Sequence, residues 1–325
     1  MRKTTAFVAI AAIALGMATA AQAQDKRVIG GVVFQSDTFM QTFQDGMQAA
    51  ADKAGAQLIL ANSETDLNKE AGILDDLTVR GINALVISTF SADGSVAALS
   101  KIVKAGIPVV CANTCVREDA RQGIVSFLAT KNIDLGLKTG EAAAAYIKAK
   151  LGGNAKIGIL NCDTFPEACL PRKEGFLKAL KDAGVTYEVV SDQTGFLADK
   201  ALPIAEAMLE ANPQINIMWS ANEGGTTAEV LAVQSADIGD QVKVFGTDMS
   251  GQLAGFLKAD NDILQAVTGQ APFQLGYEAV QTALDALDKK PVPADKTVAT
   301  ILFQRGDDAR IDSFVKTDGR AIFAD

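Results

Sequence analysis

One pattern repeats along most of this chain and leaves few folds open to it. A short β-branched run is followed by polar residues, then by an Ala/Leu/Lys-rich stretch of helical periodicity, then by glycine, then by the next apolar run. Val28–Phe34 (VIGGVVF) reads as a strand, 39–54 as a helix stopped by Gly55, and QLILA as the strand after it. A helix at 67–80 is closed by Gly81 and followed by NALVIST; one at 93–104 is closed by Gly106, with Pro108 beyond it, and followed by the VV of VVCANTC. Glycine past a helix end takes the left-handed conformation that lets the last carbonyls be bonded, and proline cannot continue a helix.

The second half uses the same grammar. Helices are expected at 134–151 before AKIGILN, at 170–183 before YEVVSD, at 199–211 before INIMWS and at 223–235 before VKVFGT. Strands alternating with helices of this length argue for parallel sheets covered on both faces. There are too many units for one small sheet, and the two halves are alike. The expected fold class is therefore α/β, with two doubly wound parallel-sheet lobes; an eight-fold barrel is the rival.

The chain has 325 residues, and its start reads as an address and not as part of the fold. Arg2 and Lys3 precede an apolar, alanine-rich run, and Ala21-Gln22-Ala23 is a small-residue cleavage signal. Residues 1–23 are expected to be a signal peptide, cleaved on export; the run from Ala6 to Ala20 is short for a membrane anchor. Losing its two cations takes the formal net charge from −9 to −11. An acidic exported chain is a poor partner for nucleic acid or an anionic membrane. There is no histidine, which removes the usual general base and the commonest zinc ligand. No G-x-S-x-G elbow, P-loop or metal-loop carboxylate cluster is present, so no catalytic residue, cofactor or metal is expected.

In open α/β sheets the ligand sits beyond the carboxyl ends of the strands. Those ends carry QSDTFM (35–40), Ser91-Ala92-Asp93, Asn113-Thr114, CDTFPEACLPR (162–172), Ala221-Asn222-Glu223, Thr247-Asp248 and Gly269-Gln270. Amides, carboxylates, one arginine and several phenylalanines suit a neutral polyhydroxy ligand, whose hydroxyls both donate and accept and whose C–H faces stack on aromatic rings. Trp219 lies mid-strand and is assigned to the core.

At these residues the chain resembles a known family. DGMQAAADKAG, DLTVRGINALVIS, KAGIPVV, RKEGF, SANEGGTTAEVLAV and VFGTDMSGQ stand where the periplasmic binding proteins of the ribose-binding, lac-repressor-like class have matching segments. The likeness covers nearly the whole chain after residue 23. It implies a type I periplasmic binding protein, with two lobes joined by a three-segment hinge near Thr130, Gln270 and the VATILF strand. The N-terminal lobe would be 24–130 plus 271–300, and the C-terminal lobe 131–270 plus 301–325. The implied ligand-binding residues are Asp37 and Phe39, Asn113, Arg172 in the R-x-x-G-F pattern, Phe196, Asn222, Asp248 and Gln270. Arg172 early in a helix, where a cation is disfavoured, adds to the case for a ligand role.

Three departures bear on the ligand. The ribose receptors have an Asp-Arg pair where this chain has Asn113-Thr114, a second ring aromatic where it has Met40, and a serine where it has Val33. One wall lacks a charged acceptor and a donor fork, so another pentose, a hexose or a sugar alcohol fits as well as ribose.

The four cysteines, Cys111, Cys115, Cys162 and Cys169, allow three pairings; a four-thiolate zinc site is the rival, though neither spacing is a standard knuckle. Export favours disulfides. A bridge between lobes would tie shut a cleft that must open, so Cys111–Cys115 and Cys162–Cys169 are the expected pairs. The functional expectation is a monomeric periplasmic receptor that carries a monosaccharide or sugar alcohol to an ABC importer permease. Alternatives are a chemotaxis or signalling receptor, or an importer receptor for an inositol-like or autoinducer-like ligand. A DNA-binding regulator of this class would need a helical domain where the signal peptide stands, and an exported enzyme would need a nucleophile and base.

Overall fold

The computed structural model describes residues 27–163, 166–317 and 319–320; the expected signal peptide lies outside them. Two six-stranded sheets carry the fold, and no barrel closes. The first is built from β1 (Val28–Val33), β2 (Gln57–Asn62), β3 (Ala84–Ile87), β4 (Val109–Ala112), β5 (Ser126–Thr130) and β11 (Asp295–Val298), in the order β2-β1-β3-β4-β5-β11. The second uses β6 (Asn154–Asn161), β7 (Thr186–Thr194), β8 (Ile217–Ser220), β9 (Lys243–Thr247), β10 (Leu264–Gly269) and β12 (Ile301–Gln304), in the order β7-β6-β8-β9-β10-β12. The two orders are the same doubly wound order, with all pairs parallel except β10 and β12.

Helices cover both faces of each sheet. In the first lobe α1 (Thr38–Ala54) packs on α9 (Pro272–Leu287), and α2 (Leu67–Val79) and α3 (Val96–Lys104) pack together. In the second lobe α4 (Asn132–Lys150) lies against α5 (Pro166–Asp182), and α6 (Ala198–Ala211) packs on α7 (Glu223–Ser235), which touches α8 (Gly251–Lys258) and, through it, α10 (Asp308–Thr317). Each face of each sheet therefore has its own apolar core. Trp219 is fully buried and stacks on Phe176 at 4.7 Å in the core under α4 and α5.

The chain crosses between sheets three times. Thr130 ends β5 and the chain enters α4 on the second sheet; Gly269 ends β10 and the chain returns to α9 on the first. VATILF is not one strand: Val298 closes β11 in the first sheet and Ile301 opens β12 in the second, with Ala299 and Thr300 between them.

The helices that begin at the first two crossings, α4 and α9, each pack very closely on a neighbour, α5 and α1. A Cβ on Gly136 of α4 would stand 1.7 Å from the Arg172 carbonyl oxygen, and one on Gly46 of α1 would stand 2.0 Å from the Phe273 carbonyl oxygen. Only glycine permits this approach, which seats the backbone of Arg172 directly against α4. The helix carrying Arg172 begins at Pro166, not at 170. Arg172 thus lies in the second turn, and the first-turn argument for its role does not apply.

Candidate functional site

The carboxyl ends of both sets of parallel strands face one cleft of about 1050 Å³. All eight residues singled out in the sequence, Asp37, Phe39, Asn113, Arg172, Phe196, Asn222, Asp248 and Gln270, line it.

The best-organised part is on the second lobe. Arg172, 6 % exposed, donates from Nη1 to the Asp248 carboxylate at 2.7 Å and to the Ala221 carbonyl at 2.8 Å. Its Nε donates to Asn132 Oδ1 at 2.9 Å. The other Asp248 oxygen accepts from Gln270 Nε2 at 2.6 Å. Asp248 follows β9 with φ +68°, and its N–H donates to the Thr268 carbonyl of β10 at 2.8 Å. Such a backbone is uncommon outside glycine, and aspartate and asparagine tolerate it best. Asn222 caps α7, accepting from the Gly225 N–H, while its Nδ2 donates to the Phe196 carbonyl at 2.7 Å. It therefore ties the loop bearing Phe196 to the start of α7.

The first lobe is built differently. Asn113 follows β4, also with φ +68°, and its N–H donates to the Leu128 carbonyl of β5 at 2.9 Å. Its amide Nδ2 donates to Ser88 Oγ at 3.3 Å, Ser88 and Thr114 share a hydroxyl bond of 2.9 Å, and Thr114 donates to the Thr89 carbonyl at 2.6 Å. This chain uses up the Ser88 and Thr114 hydroxyls within the lobe. Asp37 is the N-cap of α1, accepting from the Met40 N–H at 2.9 Å, and its other oxygen accepts from Gln35. Met40 is 1 % exposed and packs in the core at the border of the cleft, which it also lines.

Among the lining residues not singled out from sequence are Phe34, Phe90 and Glu223. The phenylalanines close apolar strand segments and read there as core. Glu223 is the first residue of α7 and reads as a helix-start acid. Burial pushes the Glu223 carboxyl above its usual range; a hydrogen bond with Ser250 opposes this, and the Asp248 and Asp37 carboxylates add to it. Asp37 is pushed up for the same first reason, with the Met40 N–H opposing and Asp248 adding. Carboxylates of both lobes therefore feel one another across the cleft.

The cysteines form the expected local pairs, Cys111–Cys115 with Cα atoms 5.4 Å apart and Cys162–Cys169 at 5.5 Å. The first brackets Asn113; the second joins the end of β6 to α5, one turn before Arg172. Among the described residues no group of histidine, cysteine, aspartate or glutamate is placed to hold a metal ion, and no helix is long and apolar enough to cross a membrane.

A family model described as periplasmic binding protein domain matches residues 31–291. The chain is 31% identical over 292 residues to the ABC transporter periplasmic-binding protein YphF of Escherichia coli (strain K12), covering 89% of each. It is 31% identical over 287 residues to the ribose import binding protein RbsB of the same organism, covering 88% of this chain and 93% of that protein. Among solved structures, an ABC transporter periplasmic solute binding protein from Actinobacillus succinogenes 130z with bound D-allose aligns with a TM-score of 0.80 at 21% identity, covering 87% of this chain and 99% of that one. A solute binding protein from Bacillus halodurans C-125 with bound myo-inositol aligns with a TM-score of 0.79 at 20% identity, covering 90% and 98%. At these identities the structural likeness is one of fold.

Proposed function

The chain belongs to the periplasmic binding protein domain family, a family of solute-binding proteins, and from that membership we propose that it is an exported receptor for a neutral monosaccharide or sugar alcohol. It delivers this ligand to the membrane permease of an ABC importer and performs no chemistry of its own. Its lobes are 24–130 plus 271–300 and 131–270 plus 301–325, hinged at the three crossings, and they close on the ligand.

The observation that carries the reading is the Arg172–Asp248–Gln270 array in the lining of the cleft. A guanidinium already matched by a carboxylate is a poor site for an anion and a good one for hydroxyls. Arg172 N–H groups donate to them, and the Asp248 carboxylate accepts. Gln270 holds Asp248 in place. From the opposite wall Asn113 and Asp37 complete the polar set, while Phe39 and Phe196 cover the two faces of the ring. Asn222 acts by positioning Phe196.

A thermal-shift screen against sugars, sugar alcohols and inositols tests the reading. A ligand at 100 times its Kd adds about 2.7 kcal/mol to stability. A response to an amino acid or nucleoside and to no polyol overturns the substrate class.

A further inference from the structure

The first lobe carries an aromatic wall that the polar set does not use. Phe34 follows β1 and Phe90 lies three residues past β3. In the order β2-β1-β3-β4-β5 these are the adjacent strands where the winding reverses, the point at which doubly wound sheets bind their ligands. The two rings lie 6.2 Å apart, tilted by 43°, and both line the cleft. Phe34 is buried and Phe90 only half-buried, so Phe90 is the ring more open to the cleft.

Phe90 is held there by its backbone. Its N–H donates at 3.0 Å to Oε2 of Glu70, which reaches from α2 and is fully buried. The polar groups of the loop are engaged within the protein: the Ser91 hydroxyl accepts from the Gly94 N–H, and the Asp93 carboxylate, which also lines the cleft, accepts from Arg117 at 2.8 Å. Ser88 is fully buried and committed to Asn113 and Thr114, and the Thr89 hydroxyl is buried too. A ligand hydroxyl pressed against the faces of the two rings would lose its water and gain no partner from them.

Resting on the polyol reading above, we propose that Phe90 is a specificity-determining residue, and that the ligand turns a hydroxyl-free edge to it, a deoxy carbon or a methyl group. The substrate class is then a deoxy sugar. Glu70 is a positioning residue that sets the Phe90 loop.

Titration calorimetry with matched pairs tests this: D-fucose against D-galactose, L-rhamnose against L-mannose, and 2-deoxy-D-ribose against D-ribose. In at least one pair the deoxy member binds about 10- to 100-fold tighter. Phe90→Ser brings that ratio to unity or inverts it. Glu70→Leu lowers the ratio, and Glu70→Gln, which keeps an acceptor for the Phe90 N–H, restores it; a merely structural role would not move a ratio between two sugars. The wild-type ratios decide the ligand class even where a variant fails to fold. Equal or tighter binding of the hydroxylated member in every pair overturns the inference, as does a deoxy preference that survives Phe90→Ser. Silence from all six sugars beside a positive polyol screen overturns it alone, and silence in both experiments overturns the polyol reading with it.

Discussion

Asn113 and Asp248 occupy the same place in the two sheets. Each follows the fourth strand of a doubly wound set, each has φ +68°, and each donates its N–H to the next strand, at Leu128 and Thr268. Their side chains have diverged. Asp248 is a carboxylate gripped by Arg172 and Gln270; Asn113 is a neutral amide with one long bond to Ser88. The winding reversals differ likewise. In the first sheet this point carries Phe34 and Phe90, whereas in the second the Ala221 carbonyl, Asn222 and Glu223 follow β8. The same backbone thus presents an apolar wall on one side of the cleft and a hydrogen-bonding wall on the other. Binding strength should come from the second wall and ligand selection from the first.

The hardest test of this division is Arg172→Ala. It removes the donor fork and leaves the Asp248 carboxylate, only 18 % exposed, without its cation. Ligand affinity should fall about 100-fold or more, and unfolding stability by about 3 kcal/mol, the scale for breaking a buried ion pair. Calorimetry and denaturant titration read the two effects separately. Asn113→Ala should weaken binding only about tenfold, as for one neutral hydrogen bond. It also costs about 1 kcal/mol of stability, because alanine resists the left-handed backbone. Asn113→Gly should restore the stability without restoring the affinity. Affinity losses of equal size at Arg172 and Asn113 would break the comparison.

Most of the fold was legible from the strand–helix grammar, because glycines punctuate it where the backbone turns left-handed: Gly55, Gly106 and Gly184 all have positive φ after a helix. The polar site was legible because Asp248, Asn113 and Gln270 stand at strand ends, where an apolar residue would be expected if only packing mattered. The aromatic wall was not, because a phenylalanine at the end of an apolar strand looks the same whether it faces core or cleft. Only the strand order, which puts β1 beside β3, brings Phe34 and Phe90 together. The split of VATILF was hidden for a related reason. Six residues of strand-forming character carry no mark of which sheet each belongs to, and that is decided by pairing with β5 and β10.

The two disulfides brace the two walls unequally. Each closes a short loop, for which chain entropy gives about 2 kcal/mol. Cys111→Ser with Cys115→Ser should cost about that in stability. Because Asn113 is also pinned through Leu128 and Ser88, binding should weaken only a few-fold. Removing the Cys162–Cys169 pair frees the helix that carries Arg172 and should weaken binding more for a similar loss of stability. Non-reducing peptide mapping that found a bridge between the two segments would contradict both expectations.

The smallest effect concerns the charge of the second wall. Glu223 opens α7, and a helix N-terminus favours a negative charge. Burial, together with the carboxylates of Asp248 and Asp37, acts the other way and prevails, so the folded protein holds the Glu223 proton more tightly than the unfolded chain, where it titrates near 4.5. The folded state then binds more protons than the unfolded state between 4.5 and the raised folded value, and stability is lost as pH rises through that window. Glu223→Gln, which keeps a hydrogen-bond acceptor for Ser250, escapes this loss. Its melting temperature relative to the unsubstituted protein should therefore climb between about pH 4 and pH 7, by on the order of 1–2 °C. A difference that stays flat or falls with pH would mean that the helix terminus outweighs the neighbouring carboxylates. Glu223 would then stay ionised over that range, and the second wall would carry one more negative charge beside Asp248, which would sharpen its contrast with the aromatic wall.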